Sequence, residues 1–363
     1  MLYRAIGLMS GSSLDGLDIV FAEFHENAGH WSWEIKAADC YPYTPEWTER
    51  LRGATELNAR DYLLLHAAYG HYLGAAVARF IEEQGLHFQV ALVASHGHTT
   101  FHLPAQKMTG QLGDGAAIAA VTGLPVVSDL RAMDVALGGQ GAPIVPMGEA
   151  LLFTDFRIFL NLGGIANIAI HNGPPVAFDV CPANRVLNAL AQKEGKEYDA
   201  AGALAASGTV NEALLRELNA LDFYGKPAPK SLANDFGTGT VLPLIEAAHI
   251  STADALRTYV EHIATQVAGA VTRNIPGGLL SRRMLVTGGG AFNRFLMERL
   301  QARLSEAGIE AVVPDEKLVS YKEALIMGLL GVLRWREEST VRSSVTGAKR
   351  DSVGGAMWMG QEA

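Results

Sequence analysis

The sequence predicts an α/β protein whose sheet has parallel members, and three observations predict it. Short apolar runs alternate with longer stretches in which apolar residues recur at three and four, the pattern of strands covered by helices. Glycine makes up 39 of the 363 residues, about 11% of the chain against an average of about 7%. These glycines cluster between apolar runs, where sharp turns and close backbone approach need them. Finally, a strand, glycine turn, strand pattern occurs at residues 5–24 and again at 158–170. The echo is one of kind and not of letters. It fits a duplicated fold, and it equally fits the chance recurrence of a common hairpin.

The elements follow in order. Residues 2–9 and 17–24 are apolar, branched strand segments, and Ser-Gly-Ser-Ser-Leu-Asp-Gly between them is turn chemistry. Residues 31–37 alternate as a third strand. Pro45 opens a helical region, and over residues 59–84 Leu63, Leu64, Ala67, Ala68, Leu73, Val77, Phe80 and Ile81 mark an amphipathic helix or helix pair. Residues 90–95 are a short buried strand ending in His-Gly-His-Thr-Thr-Phe-His. A helix over 114–122 and a strand over 124–128 come next. Residues 137–146, rich in Gly and Pro, mark the domain change, giving domains of residues 1–133 and 134–363, with a tail that can pack back on the first.

Beyond it, strands are expected at 157–162, 165–170 and 176–180, with Gly163 and Gly164 turning between the first two. A helix covers 184–193. A long one covers 251–274, starting from a Ser-Thr-Ala-Asp cap. A strand at 284–286 runs into Thr-Gly-Gly-Gly-Ala-Phe-Asn. A helix at 293–306, a strand at 310–313 and a strongly apolar helix at 321–336 complete the pattern. The polar tail shows no clear period.

Composition narrows the function. Apolar residues are 49% and charged residues 18%, which excludes disorder. The net charge is −9, a poor match to non-specific nucleic-acid binding. Cys40 and Cys181 form no CxxC pair, so zinc ribbons and disulfide scaffolds are not expected and a reducing cytoplasm fits. The first residues lack the pattern of a signal peptide. The longest apolar stretch, 324–333, is too short to span a bilayer. No P-loop, protein-kinase signature, HExxH, GxSxG or GxGxxG fingerprint is present.

What remains is three glycine-rich bends. In the first, Gly11, Ser12 and Ser13 offer N–H groups and hydroxyls to phosphate oxygens, and Asp15 or Asp18 can reach Mg²⁺ through water. A solvated turn is the competing reading. Gly163 and Gly164 form a second, backbone-only cradle. The third, Gly288, Gly289 and Gly290 before Asn293, sits between strand and helix, where a flat ring can lie on the backbone near a helix N-terminus. A close strand–helix crossing would need the same glycines. A nucleotide requires separate sites for its phosphates and its base, so the three together weigh more than any one.

Asp179 closes the 176–180 strand before a helix start, where a carboxylate can act as general base or merely cap the helix. Cys181 suits packing better than nucleophilic attack. His96, His98 and His102 tempt a metal reading. On one strand His96 and His98 would share a face, but no carboxylate or cysteine completes the set, so hydrogen bonding to substrate is the better use. Asp114, Arg131, Asp134 and Gln140 can line the same region, although Arg131 and Asp134 equally suit a surface ion pair. Glu323, in the first turn of the last helix, has a bland explanation in the helix dipole.

Taken in order, MSGSSLDGLD, SHGHT, QLGDG, DLRAMDVALGGQGAP, LNLGGIANI, AFDVCPAN, KPAPKS, VTGGGAFN and SVTGA resemble the anhydro-N-acetylmuramic acid kinase family across essentially the whole chain. The resemblance implies the duplicated actin-like, ribonuclease H-like fold, with two α/β domains around a nucleotide cleft. It implies ATP and Mg²⁺ as cofactors and a cytoplasmic role in cell-wall recycling. The implied reaction converts 1,6-anhydro-N-acetylmuramic acid, ATP and water into N-acetylmuramic acid 6-phosphate and ADP.

Asp179 then matches the catalytic base, with Glu323 as a second catalytic carboxylate. Gly11, Ser12, Ser13, Leu14, Asp15, Gly16, Leu17 and Asp18 match the ATP-phosphate loop. Gly163, Gly164, Gly288, Gly289, Gly290 and Asn293 match further ATP segments. His98, Asp114, Arg131 and Asn184 fall on sugar-linked positions. The expected partners are the anhydrosugar and ATP, with no nucleic acid and no membrane, and a homodimer is compatible.

Three departures from the family pattern stand out. Ser12 replaces Thr in MSGTSLDG, His98 replaces the amide of HGQT, and DVCPAN replaces DTGPGN beside the base, which would reshape the sugar pocket. A kinase for a related anhydrosugar such as levoglucosan, and a non-catalytic actin-like nucleotide switch or scaffold, are the competing readings.

Overall fold

The structure is a computed structural model that describes residues 1–11, 14–173, 175–228, 230–233, 235–275 and 281–360. Two compact units are present, one formed by Met1–Phe153 with Tyr321–Ala363 and the other by Thr154–Ser320. Among the described residues no helix is long and apolar enough to cross a membrane.

In the first unit the strands are β1 (Leu2–Ser10), β2 (Gly16–Asn27), β3 (His30–Pro42), β4 (Leu92–Ser95), β5 (His98–Leu103), β6 (Met108–Leu112) and β7 (Val126–Ser128). The second unit holds β8 (Ile158–Leu162), β9 (Ile165–Ile170), β10 (Val176–Pro182), β11 (Arg283–Thr287) and β12 (Glu310–Val312). The last strand, β13 (Ala356–Trp358), joins the first unit.

The sheet orders decide the question that the repeated hairpin left open. The first sheet runs β13-β7-β4-β1-β2-β3 and the second β10-β9-β8-β11-β12. In each, three consecutive antiparallel strands (β1-β2-β3 and β8-β9-β10) are extended by two parallel ones (β4-β7 and β11-β12). β13 is an antiparallel addition at one edge of the first sheet. The chain therefore carries the duplicated ribonuclease H-like arrangement of the actin-like fold. Coincidence of two common hairpins would not also repeat the order and direction of the parallel strands.

Each sheet buries apolar residues against helices. In the first unit Ile6, Leu8, Ile19 and Phe21 of the sheet pack with Tyr69, Leu73, Val77 and Phe80 of the helix Ala59–Glu83. In the second, Ile158, Leu160, Ile168 and Val286 pack with Tyr259, Ile263 and Val267 of the helix Thr252–Asn274. That helix starts where Ser251 accepts from the Asp254 N–H, the cap the sequence advertises.

Two expectations are corrected. The last long helix spans Glu316–Trp335, beginning five residues before 321. Asp315 starts it by accepting the Leu318 N–H on its side chain at 2.8 Å, and the polar residues after it hide the start from an apolar-period reading. Glu323 is thus in the third turn, too far in for the helix dipole to explain it. His96 and His98 do not share a strand, because Gly97 between β4 and β5 turns the chain with φ +69°. The tail without a clear period forms β13 and packs Trp358 against Ser128.

One glycine shows how closely the layers approach. A Cβ on Gly7 of β1 would lie 1.9 Å from the Ala324 carbonyl oxygen and 2.6 Å from the Gly328 nitrogen. Only glycine lets the helix cross the central strand at that distance.

Candidate active site

Asp179 lies inside β10 and does not end it. β10 is paired with β9, and the register shifts between Asp179 and Cys181. A bulge of this kind bends the strand and re-aims its side chains. Both carboxylate oxygens of Asp179 are held. Oδ1 accepts from Asn167 Nδ2 at 2.6 Å and Oδ2 accepts from the Leu232 backbone N–H at 2.8 Å. Its own N–H donates to the Lys230 carbonyl at 3.0 Å, and with both oxygens engaged and the next helix following Ala183, the cap reading does not apply. Burial raises the carboxyl above the usual carboxylate range, and the two donors pull it back. A fixed carboxylate with a raised pKa is suited to taking a proton near neutrality. Next to it, Cys181 is fully buried in the core and burial pushes its thiol up, which fits packing and disfavours attack.

The two glycine bends of this unit come together. Asn184 Nδ2 donates to the Leu162 carbonyl at 2.9 Å, while its backbone N–H donates to Gly163 O at 3.1 Å. Ala183 and Arg185 N–H groups donate to Gly164 O at 2.9 and 3.3 Å. The turn thus caps the helix Asn184–Gln192 through its carbonyls. A Cβ on Gly290 would sit 2.7 Å from Leu162 Cβ, so the third bend packs on the same residues.

The three consecutive glycines divide by role. Gly288 has φ +83°, and a Cβ there would meet Asn161 Oδ1 at 2.3 Å. Gly288 and Gly290 are therefore required by the protein's own packing. A Cβ on exposed Gly289 would meet nothing closer than Asn184 Nδ2 at 3.7 Å. Gly163 and exposed Gly164 are equally open, with nearest atoms at 3.6 and 3.8 Å. These are the positions where bare backbone faces space. Asn293 caps the helix Arg294–Ser305 by accepting the Leu296 N–H at 3.0 Å.

In the first unit the opening bend connects β1 to β2. Ser12 and Ser13 lie outside the described residues. The Leu14 N–H reaches back to Gly11 O at 3.5 Å, and Leu14 adopts a left-handed φ of 59°. The exposed Asp15 accepts the Tyr43 N–H through its carbonyl at 3.3 Å. Gly16 is needed for packing, since a Cβ would meet Cys40 Sγ at 2.7 Å, and Leu17 is buried in the core. Asp18 is raised to about 6, first by burial and further by the negative charges of Asp15 and Glu323, while a hydrogen bond with Cys40 lowers it. The Cys40 thiol is pushed up to about 12 by burial and then by Asp18, Asp15 and Asp39, so it stays protonated. Burial also raises Glu323, against the pull of Lys322 and Arg131. Asp15, Asp18 and Glu323 therefore share one field. Among the described residues no three His, Cys, Asp or Glu side chains form a set that could cage a metal ion.

Arg131 and Asp134 are not a surface ion pair. The Arg131 guanidinium donates from Nε at 3.0 Å and Nη2 at 2.8 Å to His96 Nε2, and from Nη1 to the Gly141 carbonyl at 2.6 Å. The buried Asp134 accepts from the Gly141 N–H and from Thr346 Oγ1, both at 2.7 Å. The Gln140 N–H donates to the Thr346 carbonyl at 2.9 Å. Asp114 caps the helix Gly115–Thr122, accepting the Ala116 N–H at 2.9 Å. His98 is buried, its Nδ1 3.1 Å from Ser10 Oγ. His102 meets Thr109 at 3.0 Å on the β5–β6 hairpin, away from any shared ligand set with His96.

Sequence reasoning missed Asn167 and Leu232 as the partners of Asp179, and Thr346 as the partner of Asp134. Asn167 lies in LNLGGIANI, and an amide among strand residues directly opposite Asp179 in the register was the available signal. The backbone donor of Leu232 leaves no such signal.

Comparison with known proteins accords with this geometry. The family model described as anhydro-N-acetylmuramic acid kinase matches residues 3–360. The anhydro-N-acetylmuramic acid kinase of Xanthomonas oryzae pv. oryzae (strain MAFF 311018) is 35% identical over 367 residues, covering 97% of this chain and 96% of that protein. The enzyme of the same description from Aliivibrio fischeri (strain ATCC 700601 / ES114) is 33% identical over 364 residues, covering 96% of each.

Proposed function

The chain belongs to the anhydro-N-acetylmuramic acid kinase family, and from that premise we propose how its residues divide the work. The protein is an ATP-dependent sugar kinase. With ATP and water it opens the 1,6-anhydro ring of 1,6-anhydro-N-acetylmuramic acid and phosphorylates O6, giving N-acetylmuramic acid 6-phosphate and ADP. The family match favours neither a levoglucosan kinase nor a non-catalytic switch. Peptidoglycan recycling in the cytoplasm is the setting in which this substrate and ATP would meet.

Asp179 is the base in this proposal. It takes a proton from water, the water oxygen attacks the anomeric carbon, the bond from that carbon to O6 breaks, and O6 receives the γ-phosphoryl group as ADP leaves. The observation that carries the assignment is the hold on its carboxylate, with Asn167 on one oxygen and the Leu232 N–H on the other. Positioning of this kind is most of what phosphoryl transfer asks of a protein.

The open backbone at Gly163, Gly164 and Gly289 supports nucleotide contact there; Gly11, Ser12, Ser13 and Leu14 are assigned to ATP on the family pattern alone. Gly16, Leu17, Gly288, Gly290 and Asn293 support these contacts by shaping the bends. Asp15 and Asp18 would hold Mg²⁺, and their mutual repulsion with Glu323 fits a cation. Bound with ATP, Mg²⁺ supplies neutralisation of phosphate charge and needs only one or two protein carboxylates. Arg131, kept charged although burial lowers it to about 10, and Glu323 are assigned to the sugar or the transferring phosphate, with His98, Asp114 and Asn184 on the sugar.

Mass spectrometry of an incubation with ATP, Mg²⁺ and 1,6-anhydro-N-acetylmuramic acid tests the reading. ADP and a ring-opened 6-phosphate are expected, with a higher kcat/KM than for levoglucosan. A folded sample giving neither product, or preferring levoglucosan, would overturn it.

A further inference from the structure

The two histidines flanking Gly97 sit in different hydrogen-bond surroundings. His96 Nε2 faces two donors of Arg131, at 3.0 and 2.8 Å, and its Nδ1 lies 2.8 Å from the Gly97 carbonyl. A guanidinium can only donate and a carbonyl can only accept. His96 therefore carries its proton on Nδ1 and accepts at Nε2. Burial, and then Arg131, lower its pKa to about 3, so it is neutral.

His98 is the reverse case, and three hydroxyls make it so. Tyr43 donates its hydroxyl proton to Ser10 Oγ at 2.8 Å. With that proton spent, Tyr69 is the donor across the 2.6 Å contact between the two tyrosine oxygens. Ser10 Oγ then has one proton of its own to place, and Ser10, Tyr43 and Tyr69 are all buried. Of the groups in hydrogen-bond geometry with Ser10 Oγ among the described residues, His98 Nδ1, at 3.1 Å, is the acceptor left to that proton. Leaving it without an acceptor would cost the desolvation of a buried hydroxyl. Burial lowers His98 to about 4, so the neutral ring has a single N–H.

We propose that the Tyr69–Tyr43–Ser10 hydroxyl chain fixes His98 as the Nε2–H tautomer, making it a donor that binds an acceptor oxygen of the anhydrosugar. Among the described residues Nε2 has no hydrogen-bond partner. Ser10, Tyr43 and Tyr69 are positioning residues that act through His98. A glutamine at this place could flip to present either its N–H or its carbonyl, whereas the imidazole here is held as a donor. The assignment of the ligand rests on the reaction proposed above, and the tautomer does not.

The test is ¹⁵N NMR of the ligand-free full chain, labelled at histidine, with His98→Gln used to assign the signals. The wild type is expected to show His98 protonated at Nε2 and bare at Nδ1, with His96 the opposite. Ser10→Ala should mix the His98 tautomers and raise KM for the sugar about tenfold, the worth of one hydrogen bond, with kcat nearly unchanged. Ser10→Thr, which keeps the hydroxyl, should restore both. Tyr43→Phe serves as the second variant if Ser10→Ala does not fold. A wild-type His98 protonated at Nδ1, or a locked tautomer in both Ser10→Ala and Tyr43→Phe, would overturn the proposal. A locked tautomer without sugar turnover in the wild type would leave the hydroxyl chain standing and refute the reaction instead.

Discussion

Asn167 and Asp179 face each other across β9 and β10, with the amide nitrogen 2.6 Å from the carboxylate oxygen. The contact has two effects. It holds Oδ1 in one place, and it favours the ionised form against the burial that raises the carboxyl.

Removing the amide should therefore move the pH dependence of the reaction. Asn167→Ala leaves burial in place and deletes a stabilising donor, so the Asp179 carboxyl rises further. A general base works only when deprotonated, so activity is lost as pH falls through its pKa. The acid limb of kcat/KM against pH is expected to shift upward in the variant. An unmoved limb would assign that limb to another group.

Asp18 offers a prediction about stability. Its folded pKa of about 6 exceeds the ordinary 3.8, so the folded protein binds this proton more tightly than the unfolded chain. The stabilisation from that proton is complete below about pH 4 and is lost as pH rises through about 6. Asn cannot ionise, so Asp18→Asn is expected to raise Tm above pH 7, with the gain disappearing toward pH 4. If Asp18 also helps to hold Mg²⁺, the same variant needs more Mg²⁺ for half-maximal rate. Thermal melts across pH and a Mg²⁺ titration measure the two effects.

The three consecutive glycines should separate packing from binding. Gly288→Ala places a Cβ at a left-handed φ and 2.3 Å from Asn161 Oδ1, a change expected to cost about 2 kcal/mol or more. Gly289→Ala meets nothing within 3.7 Å and should stay within about 0.5 kcal/mol of wild type. If ATP lies on that backbone, Gly289→Ala raises KM for ATP severalfold. Chemical denaturation and steady-state kinetics of both variants decide it; an unchanged KM in Gly289→Ala would move the nucleotide elsewhere.

The fold was legible where a single period ran long enough. β1, β2, β8 and β9 announced themselves because apolar strands flank glycine turns, the helix Ala59–Glu83 by its apolar period, and Thr252–Asn274 by its Ser-Thr-Ala-Asp cap. The start of Glu316–Trp335 was hidden because Glu316, Lys317 and Ser320 interrupt its apolar residues, and with it the depth of Glu323. His96 and His98 looked like neighbours on one face because alternation assumes an unbroken strand, and a left-handed Gly97 breaks it. Asp179 was visible as a residue type, but its hold was not. One of its donors is a backbone N–H 53 residues away in sequence, and backbone contacts across such a span leave no mark in residue identities.

The most direct test of the central claim is single-turnover kinetics of Asp179→Asn with ATP, Mg²⁺ and 1,6-anhydro-N-acetylmuramic acid, alongside its Tm and ATP affinity. Asn keeps the shape of the side chain but cannot take the proton. The account predicts a folded variant with near-normal ATP binding and a chemical step slowed by about 10²–10⁴-fold. A folded variant that opens and phosphorylates the sugar at close to the wild-type rate would contradict it.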